Sequence, residues 1–284
     1  MAAKTWTAHQ VRGAEHLDLR GVRAFGAEVF LLAAGPGEQS RIYHTKDSGN
    51  NWELQFANHE AKGFLDCMAF SDKQHGIVVG DPVSGKFQIL HTEDGGKNWR
   101  YADPKNMPAA LDGEGAFAAS NSCIAVNGKE DVWFATGGSA ARVFHSSDSG
   151  ATWGVTETPI MHGAASEGIF SIAFRDPLHG VIAGGDYAHP DQGGTNLATT
   201  ADGGKNWKLA TPPQTRFFSG ISYVKGTSLV MVGSGVTAFL SDGLYTYKEL
   251  TQQGFNAVDS KDGITYAAGA NGRIIKLAIP TSLR

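Results

Sequence analysis

The chain has 284 residues, 37 glycines, 10% aromatic residues, a formal net charge of −4 and a pI near 6.2. This acidic balance, without a basic stripe, argues against nucleic acid as the main partner. The chain also lacks an apolar run of about 18 residues that could span a membrane. Residues 1–4 are not followed by an apolar segment, so they are not a signal peptide. The two cysteines are too few for a disulfide scaffold and have no Cys-x-x-Cys spacing.

Short apolar runs, rich in β-branched and aromatic residues and bounded by Gly, Asp and Pro, recur along the chain in groups of four. The first four groups are residues 22–25, 29–33, 41–45 and 52–56; 64–70, 76–80, 87–92 and 99–101; 123–126, 132–136, 142–146 and 153–156; and 171–174, 181–184, 197–200 and 207–210. Two further groups of three are residues 221–224, 229–233 and 236–241, and residues 256–258, 264–269 and 273–277. No segment carries an apolar stripe of helical spacing. The sequence therefore predicts an all-β fold.

One motif, Ser/Thr-x-Asp-x-Gly-x-x-Trp, lies between the third and fourth runs of each of the first four groups. Its aspartates are Asp47, Asp94, Asp148 and Asp202, and its tryptophans are Trp52, Trp99, Trp153 and Trp207. The Asp carboxylate can accept hydrogen bonds from backbone N–H groups ahead of it, and Gly permits positive φ. The motif thus predicts a structural turn that repeats about every 50 residues, the period of a repeat architecture. A decayed copy begins at Ser241.

This motif resembles the Asp-box, or BNR repeat, of sialidase-type β-propellers and of photosystem II stability/assembly factor-like proteins. The wording Thr-x-Asp-Gly-Gly-Lys-x-Trp at residues 92–99 and 200–207 is closer to the assembly factors. The resemblance implies a β-propeller of four-stranded antiparallel blades, with Asp-box turns between strands 3 and 4. We count six blades, with a seven-bladed parent as the alternative. The resemblance also implies export to the periplasm or outside the cell, with any leader removed or left out.

The sixth group of strands is one strand short, and the other terminus can supply it. Lys4, Thr5 and Trp6 match the Lys-Asn-Trp ending of two Asp-boxes. We therefore expect residues 1–284 to form a single domain, in which residues 5–10 join residues 273–277 and close the ring. Closure would remove exposed sheet edges.

The end of the propeller opposite the Asp-boxes is predicted to carry the site, because the long, uneven loops lie there. This long-loop face includes residues 9–20, 58–63, 102–116, 157–167, 186–194 and 211–218. Its carboxylates are the candidate catalytic residues Asp66, Asp81, Glu114, Glu167 and Asp186. Its candidate ligand-binding residues are Arg20, Arg41, Arg142, Arg216, Arg273 and His189. The arginines either pair with neighbouring carboxylates or line a polar pocket around the channel.

Two enzyme classes could use carboxylates and arginines of this kind. The arginine triad of sialidases comes with an Arg-Ile-Pro motif that this chain lacks, so sialidase activity is not expected. A hydrolase of glycosides, lactones or phosphate esters needs only facing carboxylates, and stays as the alternative. Such an enzyme could hold Ca²⁺ in the channel through Asp66, Asn121, Glu114 and Asn256, although their spacing is not diagnostic. No histidine or cysteine cluster indicates another metal or cofactor.

The resemblance to assembly factors implies a non-catalytic scaffold that binds a protein or small-molecule ligand on the long-loop face. The arginines would meet carboxylate groups there. We expect a monomer that binds no nucleic acid and has no membrane span. Cys67 and Cys123 occupy equivalent places in neighbouring first strands, so they could approach one another. Free, buried thiols are the favoured expectation, because the blade spacing makes a disulfide marginal.

Overall fold

The computed structural model describes residues 6–211, 216–241 and 246–279. Its strands form six antiparallel sheets arranged as the blades of a β-propeller, which confirms the predicted fold class. Within each blade, we number the strands from 1, nearest the central channel, outwards. Among the described residues, the only helical segments are short 3₁₀ turns, at Gly37–Gln39, Pro104–Asn106 and Ala270–Gly272.

The first three blades have four strands each, in simple meander order. Blade 1 contains Asp18–Phe25, Glu28–Ala34, Arg41–Thr45 and Glu53–Ala57. Blade 2 contains Leu65–Phe70, Gly76–Val83, Lys86–Thr92 and Arg100–Tyr101. Blade 3 contains Ile124–Asn127, Asp131–Ala135, Arg142–Ser146 and Gly154–Glu157.

The later blades depart from this plan in two places. Blade 4 contains Glu167–Phe174, Gly180–Asp186, Leu197–Thr200 and Lys208–Leu209, and two short strands, Gly137–Gly138 and Glu114–Gly115, extend its inner edge. Blade 5 contains Gly220–Lys225, Ser228–Gly233, Val236–Ser241 and Thr246–Thr251. Blade 6 has three strands among the described residues, Ala257–Lys261, Ile264–Ala268 and Ile274–Leu277.

Each Asp-box forms a turn that is stabilised by hydrogen bonds of its Ser or Thr hydroxyl and of its Asp carboxylate. In the second box, the Thr92 hydroxyl donates to Asp94 Oδ1 at 3.0 Å and accepts from the Gly96 N–H at 2.8 Å. The Asn98 backbone N–H donates to Asp94 Oδ1, and the Asn98 side chain to Oδ2. These bonds, the Asn98 amide foremost, lower the pKa of Asp94 to about 2. The Gly95 N–H also donates to Gln74 O in the turn between strands 1 and 2, so both turns lie at one end of the blade.

The core is divided into apolar layers between neighbouring blades. One layer joins blades 2 and 3 through Val79, Phe87 and Phe134, and similar layers join blades 1 and 2, 3 and 4, 4 and 5, and 5 and 6. Among the described residues, no such layer joins blade 6 to blade 1. A small cluster in which Val11 and Ala14 pack on Tyr43 covers part of blade 1 instead.

The predicted closing strand falls only partly within the described residues. Residue 5 lies outside them, and residues 6–10 are described without strand pairing. The Trp6 ring nevertheless lies edge-on to Tyr266 of blade 6, with 6.0 Å between the ring centroids. A single domain closed by residues 5–10 stays a prediction.

Candidate functional site

The channel mouth on the long-loop face is built by an irregularity in the first strands. The register of strand 1 shifts at Arg20 in blade 1, at Asp66 in blade 2 and at Phe170 in blade 4. A β-bulge re-aims the side chain of the extra residue. Arg20 and Phe170 line the mouth, whereas Asp66 is buried beside it. In blades 5 and 6, Ser219 and Asn256 directly precede strand 1. Arg20, Phe170, Ser219 and Asn256 line a cavity of about 670 Å³.

Four aromatic side chains form one wall of this mouth. Phe117 stacks on Phe170 with 3.8 Å between ring centroids, and Phe217 meets Phe170 edge-on at 4.8 Å. Tyr187 packs edge-on against Phe117 and Phe170 while 52% of its surface remains exposed. We call Phe117, Phe170, Tyr187 and Phe217 the aromatic wall. Sequence reasoning missed it, although blades 4 and 5 each carry an aromatic residue near the start of strand 1, Phe170 and Phe217.

Residues 117–121 cross the channel and divide it; we call them the crossing segment. Arg20 donates to Ala118 O at 3.5 Å, and the Ser120 hydroxyl donates to Ser219 O of blade 5 at 2.7 Å. The Asn121 side chain bonds both backbone groups of Met68 in blade 2. The mouth cavity therefore lies on one side of the crossing segment, and a second cavity lies on the Asp-box side.

Cys67 and Cys123 form a disulfide next to the crossing segment, with 6.0 Å between their Cα atoms. The expectation of free thiols is therefore wrong. The physical reason is the position of strand 1. Neighbouring blades are closest at the channel, so equivalent residues there come within the range of about 4.4–6.8 Å that a disulfide needs.

Glu114 and Arg142 form a buried ion pair, so neither is available to a ligand in this structure. Arg142 Nε donates to Glu114 Oε1 at 2.9 Å, and its Nη2 contacts Oε2. Thr136 and the Leu111 N–H satisfy the remaining positions of the carboxylate. Arg142 also lies over the Phe144 ring, 5.1 Å from its centroid.

Asp66 and Asp81 are the carboxyl groups that the structure places in an unfavourable environment. Asp66 is only 1% exposed, and its Oδ2 has no hydrogen-bond partner among the described atoms. Burial, and then the charge of Asp81, raise the pKa of Asp66 well above its ordinary value. Burial likewise raises the pKa of Asp81, whose Oδ1 accepts from the Ala116 N–H at 2.9 Å.

Glu167 and Asp186 are paired residues on strands 1 and 2 of blade 4. Glu167 accepts from the Ala164 N–H at 3.1 Å. Asp186 holds the ring of His189, with 2.7 Å between Oδ2 and Nδ1. Burial raises the pKa of Asp186, but hydrogen bonds from His189, Ser166 and the Ala188 N–H outweigh it, so that the pKa is lowered. The His189 side chain is otherwise 69% exposed.

The remaining predicted arginines are spread around the rim rather than gathered in one pocket. Arg20 pairs with Asp18 at 2.7 Å, and Arg216 with Asp191 at 2.6 Å. Arg41 donates to Glu38 O and Tyr43, whereas Arg273 bonds Gly254 O and lies over the Phe255 ring.

The four residues predicted to hold Ca²⁺ have different surroundings. The oxygens of Glu114 already accept from Arg142 and Thr136, and the Asn121 amide is bonded to Met68. Asp66 is buried, and Asn256 lines the mouth. In the part of the chain that the structure describes, no three His, Cys, Asp or Glu side chains form a group that could hold a metal ion.

These features define an Asp-box β-propeller with an aromatic-walled channel mouth. The family model described as photosynthesis system II assembly factor YCF48 matches residues 55–159, from the outer strand of blade 1 to the end of blade 3. This partial match confirms the predicted resemblance to the assembly factors. A search of curated protein sequences found no significant match.

Solved structures share the fold at low sequence identity. "YCF48 bound to D1 peptide" is 18% identical with a TM-score of 0.58, covering 88% of this chain and 73% of that one. YCF48 from Cyanidioschyzon merolae is 16% identical with a TM-score of 0.59, covering 92% of this chain and 82% of that one.

A GH74 enzyme of Niastella koreensis is 14% identical with a TM-score of 0.65, covering 92% of this chain. The chain matches only 45% of the length of that enzyme. No helix among the described residues is long and apolar enough to cross a membrane.

Proposed function

We propose that this protein is a non-catalytic scaffold that binds an extended segment of a partner protein at the channel mouth on the long-loop face. The observation that carries the proposal is the aromatic wall, in which the buried rings of Phe170 and Phe217 support a partly exposed Phe117 and a half-exposed Tyr187 at the rim. Aromatic side chains dominate the energy of protein interfaces because they bury large areas with little loss of conformational freedom.

The polar side of the mouth suits a peptide backbone. Arg20 donates from Nε and Nη2 to Asp18 and from Nη1 to Ala118 O, and its guanidinium has further N–H groups that can donate to a ligand. Ser219 and Asn256 line the same cavity. A partner segment can thus place an apolar side chain on the wall while its carbonyl groups accept from these polar residues. The solved complex of YCF48 with a D1 peptide is a precedent on the same fold, for that protein alone.

The hydrolase alternative has less support. Glu114 is saturated by Arg142, and Asp186 is bound to His189. Asp66 and Asp81 could supply an acid with a raised pKa, but Asp66 has almost no exposed surface for a substrate. The names of the assembly factors among the similar proteins also point to binding rather than turnover.

The test is selection of a random displayed peptide library on the folded protein, followed by titration of the enriched peptides. We expect peptides rich in aromatic or aliphatic residues. Tyr187→Ala should weaken binding about tenfold or more, as loss of an interface hot spot does. Leu178→Ala is the control, because Leu178 is similarly exposed, at 53%, in the turn between strands 1 and 2 of blade 4, at the Asp-box end.

Peptides that bind Tyr187→Ala and the wild type equally well would contradict the proposal. Turnover of a glycoside, lactone or phosphate ester that disappears in well-folded Asp66→Asn would establish the hydrolase alternative instead.

A further inference from the structure

The second cavity of the channel, on the Asp-box side of the crossing segment, has a volume of about 620 Å³. We call it the inner chamber. It is lined by residues from strand 1 of all six blades, including Arg23, Ile172, Tyr223 and Val258. Val22 and Ile274 also line it and are 53% and 44% exposed, so the chamber is open to solvent. The proposed partner site at the mouth does not use it.

Arg23 is the residue of this chamber whose hydrogen-bonding groups are least satisfied by the protein. Its guanidinium donates only to backbone carbonyls, to Val22 O at 3.2 Å and to Asn121 O at 3.4 Å. Among the described residues, no carboxylate lies within ion-pair distance of it, whereas Arg20 in the same strand is paired with Asp18. A guanidinium has five N–H donors, so several remain unused.

The surroundings make this incomplete pairing costly. Burial lowers the pKa of Arg23, and the charge of Asp259 across the chamber offsets this only in part. Arg23 is partly buried, and a partly buried cation is stabilised when a carboxylate forms paired hydrogen bonds with it.

The rest of the lining fits the body of a small molecule. Val22, Ile172, Val258 and Ile274 supply apolar surface, and Ser222 and Tyr223 supply hydroxyl groups. Apolar walls with a few polar groups that fix orientation are typical of small-ligand sites, which measure about 300–1,000 Å³.

We propose that the inner chamber binds a small organic carboxylate, whose charged group pairs with Arg23 and whose apolar part lies against Val22 and Ile274. The proposal concerns a different cavity from the partner site. Its failure would leave the proposed scaffold function intact.

The test uses benzoate and hexanoate as probes, with benzamide and hexanamide as uncharged matches. Binding to the full chain is followed by ligand-observed NMR and calorimetry at low salt. We expect the acids to bind and the amides not to. Arg23→Gln should weaken binding about tenfold or more, because a charged hydrogen-bonded pair is lost. Arg23→Lys should retain part of the affinity. Arg100→Gln, which changes an exposed arginine in the outer strand of blade 2 and outside the chamber, should retain all of it.

Val22→Trp fills the chamber from an exposed position and keeps the test decisive if Arg23→Gln does not fold. N-acetylphenylalanine distinguishes the source of the carboxylate. Tighter binding than benzoate would indicate the end of a peptide chain, and weaker binding a free acid, and both support carboxylate recognition. Equal binding of acids and amides, no binding of either acid, or binding that survives Val22→Trp would overturn the proposal.

Discussion

Blades 1 and 2 carry the same four-strand pattern, yet their inner strands have opposite surroundings. Every residue of Leu65–Phe70 in blade 2 is buried, whereas in Asp18–Phe25 of blade 1 only Gly21 is. Blade 2 lies between two apolar layers, whereas among the described residues blade 1 shares one with blade 2 alone. The repeat therefore specifies the strands, and the neighbouring blade decides what each position contributes to stability.

The largest difference between equivalent positions is expected for Arg142 and Arg41, which begin strand 3 of blades 3 and 1. Arg142→Met should lower the free energy of unfolding by about 3–5 kcal/mol, because it leaves the Glu114 carboxylate buried and unpaired. Arg41→Met removes contacts at a more exposed site and should cost less than about 1 kcal/mol. Urea unfolding at neutral pH measures both. Adding Glu114→Gln to Arg142→Met should restore part of the loss, and equal unfolding midpoints for the two single variants would contradict the comparison.

A smaller effect is expected for Leu65 and Leu19, which precede the bulge in blades 2 and 1. Leu65 is fully buried, so Leu65→Ala should cost about 2–5 kcal/mol through lost burial and a cavity. Leu19 is 39% exposed, and Leu19→Ala should cost less than about 1 kcal/mol. The same unfolding measurement distinguishes them. A large loss in Leu19→Ala would show that another surface covers blade 1 in solution.

The smallest effect, and the one with opposite sign, is expected at the bulge itself. The folded-state pKa of Asp66 is raised, so its ionisation opposes folding once the pH exceeds the unfolded value of about 3.9. Asp66→Asn should therefore increase the free energy of unfolding at pH 7 by about 1 kcal/mol, which would appear as a higher melting temperature. Near pH 3 it should bring no gain. Arg20→Gln at the equivalent exposed position should show no such pH dependence. A gain for Asp66→Asn that is the same at both pH values would exclude ionisation as its cause.

The fold could be predicted because its signal is local and repeated. The Asp-box turn depends on residues within eight positions, and the strands between boxes are short apolar runs with clear boundaries. Asp47, Asp94 and Asp202 each have a pKa lowered to about 2, with hydrogen bonds from the Asn four residues later as the largest cause. Such contacts can be deduced from the spacing alone.

The site was harder to predict because its contacts join distant parts of the chain. The aromatic wall combines residues of blades 4 and 5 with Phe117 from a long loop that has no periodic pattern. The Cys67–Cys123 distance depends on how closely two inner strands approach at the channel, which composition does not reveal. The pairing of Arg142 with Glu114 could not be predicted either, because it joins residues that are 28 positions apart.

The crossing segment also bears on how the ring unfolds. In repeat proteins each unit contacts only its neighbours, so units can be lost from an end one at a time. Here Ser120 contacts blade 5 and Asn121 contacts blade 2. From blade 1, Arg20 donates to Ala118 O and Arg23 donates to Asn121 O. Detaching one blade therefore breaks bonds that also hold blades on the far side of the channel. We expect the propeller to unfold in one cooperative transition, without stepwise loss of single blades.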